Sequence, residues 1–264
     1  MTLRVAIEGV SFWASRLPGW DIARAVILGE QAAPEAPSAR PSPTLLAPTE
    51  RRRAPDTVAV ALEVAARACE AAGRKPSDLP SVFASTHGDL AISDYMCSTL
   101  ATTPTLISPI KFHNSVHNAA AGYWSIGTGS LAPYTAISAY EYTFGAGLLE
   151  AATQAICEQR PVLYVAFDIE SKGALASMAP SRGLLGAALV LTPVSKSEQQ
   201  RGLILTTESV AECQPTEARS AAAPLVADNA LAPCLPFFEI LASSNPRTLS
   251  LALSRQTALN VQVN

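Results

Sequence analysis

An α/β fold, a sheet covered by helices, is what this 264-residue sequence predicts. Three observations lead there. Short apolar runs of strand length alternate with Ala-rich runs of helical length. Several of the strand runs are apolar almost throughout, as strands buried on both faces are. With 48% apolar residues, a chain of this length can bury one large core or two merged ones.

The elements follow in order. Residues 3–9 alternate apolar and polar side chains and meet Gly9, which reads as a strand ending there. The proline-rich run 33–48 cannot be helical and has little to bury, so it reads as an exposed loop. Arg51, Arg52 and Arg53 read as a solvated loop edge. Pro55-Asp56-Thr57 then opens a helix over 58–72, with Val60, Val64 and Ala68 on one face. Asp56 or Thr57 is positioned to cap it, and Gly73 to end it. Residues 81–85 form a short buried strand. Thr86-His87-Gly88-Asp89 turns the chain into a helix over about 90–101. Pro109 introduces a polar loop, 111–115, before a helix over 116–127 that Gly127 and Gly129 close. A strand over 134–138, an Ala-rich helix over 143–158 and buried strands at 162–167 and 186–192 follow. Another strand starts at 202–207. Periodicity is weak over 212–234. A short apolar helix at 235–243 and a pair of strands, 249–253 and 259–263, end the chain.

The composition excludes several classes. A net charge of −3 with no long basic run argues against nucleic-acid binding. Cys69, Cys97, Cys157, Cys213 and Cys234 fit no zinc spacing and no disulfide framework, which suggests a reducing compartment. His113 and His117 stand four apart without the further ligands a zinc site needs. No metal or cofactor is expected. The start of the chain lacks the apolar core of a signal peptide, and no apolar stretch reaches membrane-spanning length. A cytoplasmic location is expected.

The most informative block is 108–151. It holds Ser108-Pro109, then Asn118 to Gly122, then Ala132-Pro133, then Ile137-Ser138, then a small, apolar helix from Phe144. Arg182 to Leu191 adds a glycine-containing turn into a core strand around Gly186. These pieces, in this order and spacing, resemble the β-ketoacyl-acyl-carrier-protein synthases of the thiolase superfamily. Asn118, Gly122, Pro133 and Gly186 carry the structural motif. The block Ser115 to Ile126 and the segment Ser138 to Phe144 most resemble the short chain-length factors of aryl polyene and xanthomonadin-type pigment clusters.

The resemblance implies a layered α-β-α-β-α thiolase-like fold, with its N-terminal half complete and its C-terminal half truncated. Residues 1–195 would form the ketosynthase-like unit, and 196–264 a short extension or a remnant of the second half. The family's nucleophilic cysteine falls on Glu141, at the buried mouth of a helix. A carboxylate forms no thioester, although the helix dipole favours its charge. The family's two catalytic histidines lie in its C-terminal half, whereas this chain has only His87, His113 and His117. No catalytic residue is therefore expected. The implied role is a non-catalytic subunit that pairs with an active ketosynthase, serves an acyl carrier protein through that complex, and shapes the acyl tunnel at the interface. Tunnel candidates are Ile92, Tyr95, Met96 and Thr99, on one helical face by spacing, with Phe112 and Tyr142. The same face reads equally as ordinary core. Arg51 to Arg53 becomes an alternative docking spot for an acidic carrier protein. Two other roles stay open: a malonyl-carrier-protein decarboxylase using Glu141, and a stand-alone acyl- or carrier-protein-binding module.

Overall fold

The structure is a computed structural model that describes residues 2–194, 202–243 and 246–264. Its backbone is one mixed sheet. The first strand, β1 (Thr2–Ala14), is followed by a two-residue strand, β2 (Leu17–Pro18), and a helix, α1 (Trp20–Ile27). Next come α2 (Pro48–Arg53), α3 (Asp56–Ala71), β3 (Ser81–Ala84), α4 (Leu90–Thr102), α5 (Pro109–His113), α6 (Ala119–Thr128) and β4 (Tyr134–Ile137). The chain continues through α7 (Thr143–Glu158), β5 (Val162–Asp168), β6 (Leu185–Pro193) and β7 (Gly202–Ser209). It ends with α8 (Ala223–Val226), α9 (Leu235–Ala242), β8 (Arg247–Ser254) and β9 (Thr257–Val263).

The strand order is β4-β3-β5-β6-β1-β7-β9-β8, with β2 paired to β1. β3 runs parallel to β4 and β5, and the other pairings are antiparallel. The α/β expectation holds: α3 and α6 pack on one face of the sheet, and α7, α1 and α9 on the other. β5 and all but the last residue of β6 are buried, as their apolar runs require. Residues 202–263 join the same sheet through β7 on β1 and then close over α7 by way of β8. The boundary expected between residues 195 and 196 lies outside the described residues.

β1 does not stop at Gly9. Its pairing with β6 skips Glu8, so that Ile7 faces Leu191 and Gly9 faces Val190. This one-residue bulge resets the alternation, which is why the sequence pattern broke there. Glu8 uses the break to reach Arg74, with two hydrogen bonds of 2.6 and 2.7 Å. Gly9 serves the approach of α3: a Cβ there would stand 2.2 Å from the Ala68 carbonyl oxygen.

α3 buries Val58 to Leu62, Val64, Ala65, Ala68 and Cys69. Each fully buried valine or leucine contributes about 1.5–3 kcal/mol relative to exposure. Neither expected cap operates. Pro55 occupies the N-cap without a side-chain bond. Asp56 is drawn to Arg40 at 2.8 Å, and the Thr57 hydroxyl donates to Asp89 at 3.1 Å. Gly186 lets α3 press on β6, since a Cβ there would meet Val60 Cγ2 at 2.7 Å.

Other local expectations shift. Arg51 to Arg53 belong to α2 rather than a loop edge, with Arg51 bonded to the Thr44 and Leu46 carbonyls. Pro41, Pro43 and Leu46 are buried, so the run 33–48 is not wholly exposed. The polar loop after Pro109 begins as α5, because Ser108 accepts from the Lys111 N–H and Pro109 suits the first helical turn. α6 accordingly starts three residues later than the pattern suggested.

Candidate functional site

Glu141 sits where strand β4 gives way to α7, in a short 3-10 turn from Tyr140 to Tyr142. The strand-to-helix junction is the expected one. Its burial is not: Glu141 is exposed in the single chain. The turn places it in the lining of a cavity of about 1050 Å³. Tyr142, Phe144 and Gly145 line that cavity from one side. The segment 211–218 and the β8–β9 hairpin with Arg255 line it from the other. The neighbouring Glu141 carboxylate holds the Tyr142 pKa above the usual phenol range, while the nearby Arg255 opposes that rise.

The strained residue at this junction is Tyr140, with φ at 53°. A bulky side chain in the left-handed region costs roughly 1–3 kcal/mol and persists only where neighbours enforce it. Those neighbours are visible. Thr143 Oγ1 donates to the Tyr140 carbonyl at 2.6 Å and accepts from the Ala139 N–H at 3.0 Å. The Tyr140 ring lies edge-on to His87.

Beneath the junction is a buried carboxylate that sequence reasoning missed. Asp168 ends β5 and is only 2% exposed. It accepts from Ser85 Oγ at 2.9 Å, from Thr86 Oγ1 at 2.7 Å, and from the Thr86 N–H at 3.0 Å. Burial raises its pKa, and the bonds from Thr86 and Ser85 oppose that rise. The Thr86 carbonyl in turn accepts from Ser138 Oγ at 2.8 Å, and the Ser85 carbonyl meets His117 Nε2 at 2.9 Å. This network fixes the turn 85–89 against the end of β4. A charged residue directly after six apolar ones was the sequence signal for Asp168.

The motif residues divide by role. Asn118 Nδ2 donates to the Tyr134 hydroxyl at 3.1 Å, which ties α6 to β4. The Pro133 carbonyl accepts from the Ser81 N–H at 3.1 Å, which starts the β3–β4 pairing. Gly122 faces a second cavity of about 510 Å³, and a Cβ there would meet nothing within 4 Å.

The tunnel candidates are not gathered into one cavity. Tyr142 lines the large one, beside Glu141. Ile92 is buried beside a third, of about 430 Å³. Tyr95, Met96 and Thr99 are half-buried along α4, and Phe112 is exposed on α5. Tyr95 serves structure: its hydroxyl accepts from the Ser108 N–H at 3.0 Å, and Lys111 Nζ lies 3.8 Å from its ring centre. His113 lies edge-on to Tyr123. Cys69 is pushed up to about 12 by burial, and burial pushes Cys234 up as well, as inert core thiols are. No helix among the described residues is long and apolar enough to cross a membrane.

Comparison with known proteins fits this architecture. The family described as beta-ketoacyl synthase, N-terminal domain, matches residues 28–246. The chain belongs to that family. Among solved structures it is similar to one described as a ketosynthase (ApeO) in complex with its chain length factor (ApeC) from Xenorhabdus doucetiae. The TM-score is 0.74 at 22% identity, over 98% of this chain and 99% of that one. The ishigamide ketosynthase/chain length factor matches with a TM-score of 0.69 at 14% identity, over 99% of both chains. The complex AntDE:AntF, a type II polyketide synthase acyl-carrier protein with its ketosynthase, matches at 0.75 and 11%, over 100% of this chain and 99% of that one. At these identities the likeness establishes a shared thiolase-like fold. None of the curated proteins searched matches the sequence.

Proposed function

We propose that this chain is a non-catalytic, chain-length-factor-like subunit that pairs with an active ketosynthase in type II polyketide or fatty-acid-like biosynthesis, of the aryl polyene pigment kind. The observation that carries the proposal is where the apolar surface lies. Among the described residues, nine of the twelve exposed large apolar side chains fall between Leu100 and Tyr140. They flank β4 in sequence, and β4 is one of the two edge strands of the sheet. Ile126 is 82% exposed and Leu131 fully so. A paired strand edge and a covered apolar patch are what a stable partner supplies. The pairing of ketosynthase with chain length factor in two of the similar structures supports the same reading.

The absence of catalysis follows from residue types. Glu141 stands where the family resemblance places the nucleophile, and it has no thiol to carry an acyl group. The three histidines, at 87, 113 and 117, all precede that residue. In the complex the subunit bounds the acyl tunnel of its partner. Ile92, Tyr95, Met96, Thr99, Phe112 and Tyr142 are the side chains whose size sets its length. An acyl carrier protein reaches the pair through the ketosynthase. The test is co-expression with an active ketosynthase. A one-to-one complex is expected, and its products should change length when Phe112 or Met96 is replaced by Ala. A chain that stays monomeric beside the ketosynthase, with products unchanged by its presence, overturns the proposal.

A second reading has one observation in its favour. Glu141 is accessible at a cavity of about 1050 Å³, open to a carrier-bound malonyl group. Release of CO₂ from malonyl-carrier protein by the chain alone, lost in Glu141→Ala, would establish a decarboxylase instead.

A further inference from the structure

We propose that the cavity between α4, α5 and the end of β5 is a ligand site for an amphipathic carboxylic acid or acyl chain whose far end carries a hydroxyl group. The cavity holds about 430 Å³, within the range of small-molecule sites. Ile92, Ile169 and Leu184 give it apolar walls. Asn114 lies among them and is only 3% exposed.

The carboxamide oxygen of Asn114 is unused by the fold. Its backbone N–H already bonds to the Ile110 carbonyl at 3.1 Å, closing α5. Its Oδ1 is buried and has no hydrogen-bond partner. Buried amides in folded proteins are almost always paired, and an unpaired one in a cavity wall signals a missing ligand or water. An apolar residue would close α5 equally well. A hydroxyl both donates and accepts, so it pairs with a carboxamide in either orientation. A hydrocarbon end would match the walls and leave the amide unpaired.

The mouth favours an anion. Arg53, Lys111 and Lys172 stand at it, all exposed. Of the three carboxylates nearby, Asp56 is held by Arg40. Asp89 is engaged by the Ile92 N–H and the Thr57 hydroxyl. Those donors are neutral and leave the Asp89 charge in place, so Asp89 and Glu170 offset two of the three cations and one net positive charge remains, with Lys111 seated over the Tyr95 ring. A carboxylate beside the cations and a hydroxyl at Asn114 therefore each meet a complementary group in the lining of the one cavity. The bearing on elongation rests on the heterodimer reading: the subunit then sorts chains by the chemistry of their leading end as well as by length.

The test titrates the full chain with 8-hydroxyoctanoate and with octanoate, by calorimetry and by amide chemical shifts. The hydroxy acid is expected to bind at least fivefold more tightly. Asn114→Leu should erase that preference while leaving the unfolding midpoint at or above wild type. Ile92→Trp should fill the cavity and weaken both acids, which serves if Asn114→Leu does not fold. Failure of both acids to bind at millimolar concentration, meaning that water satisfies the amide, overturns the proposal. So does a hydroxyl preference that survives Asn114→Leu. Co-purification with the ketosynthase is read separately, so a chain that binds the hydroxy acid but no ketosynthase refutes the subunit role and leaves this site standing.

Discussion

Tyr140 presents its ring edge-on to His87, with ring centres 5.8 Å apart, while its own backbone is held in the left-handed region. One residue of the β4–α7 junction is thus strained, and the turn 85–89 braces it. The next residue along is Glu141, so this brace determines where the carboxylate points.

Replacing Tyr140 tests the strain. A β-branched residue tolerates positive φ worst. Tyr140→Val should lose about 2 kcal/mol in urea unfolding. Tyr140→Gly, which is free of that cost but lacks the ring contact, should stay within about 1 kcal/mol of wild type. Equal losses in both would assign the effect to the ring alone.

Packing around α7 makes a second test. A Cβ on Gly147 would stand 2.6 Å from Tyr164 Cε2 and 2.9 Å from Ala84 Cβ. Gly147→Ala should destabilise the chain by about 1–3 kcal/mol, because the core has no room to yield. Tyr164→Phe removes the 2.8 Å bond to the Phe144 carbonyl and should cost about 1 kcal/mol.

Asp168 gives a pH signature. Its folded carboxyl has a raised pKa, first because it is buried, so the folded state holds the proton more tightly than the unfolded one. That contribution is complete below the ordinary aspartate value of about 3.9 and is lost as pH rises through the folded value. The stability of wild type minus that of Asp168→Asn should therefore fall as pH is raised from about 4 toward 7. Urea unfolding at three pH values reads it. A difference that grows with pH would mean that the Ser85 and Thr86 bonds outweigh burial.

The exposed edge makes the fourth test. Ile126→Asp and Leu131→Asp touch no core, so each should change the stability of the isolated chain by less than about 0.5 kcal/mol. Either should weaken assembly with the ketosynthase at least tenfold, which is about 1.4 kcal/mol. Unimpaired assembly in the double variant would remove β4 and its surroundings from the interface.

Much of this architecture was legible because apolar runs report burial directly. β5, β6 and α7 follow from the sequence almost residue for residue. The end of β1 did not, since a bulge at Glu8 looks like a terminus when only alternation is read. The caps of α3 misled for a different reason: Asp56 and Thr57 have the right chemistry, but Arg40 and Asp89, distant in sequence, claim them. The site was legible only as a junction. That Glu141 lies open to solvent depends on the Tyr140 turn, and no residue type announces a left-handed tyrosine. Asn114 was invisible as well, because an asparagine after a proline-started turn is ordinary until its surroundings are known.

β1 has one further consequence. Its residues Val5 to Ala14 pair with β6, while Thr2 to Ala6 pair with β7, so that Thr2 lies opposite Thr206. Thr2 must wait for a residue 204 positions later in the chain before that edge is satisfied. Contacts of such span form late and slowly. Until then the nascent chain carries an unfinished strand edge, and its time of greatest hazard, for aggregation or for premature capture by a partner, is the interval before β7 arrives.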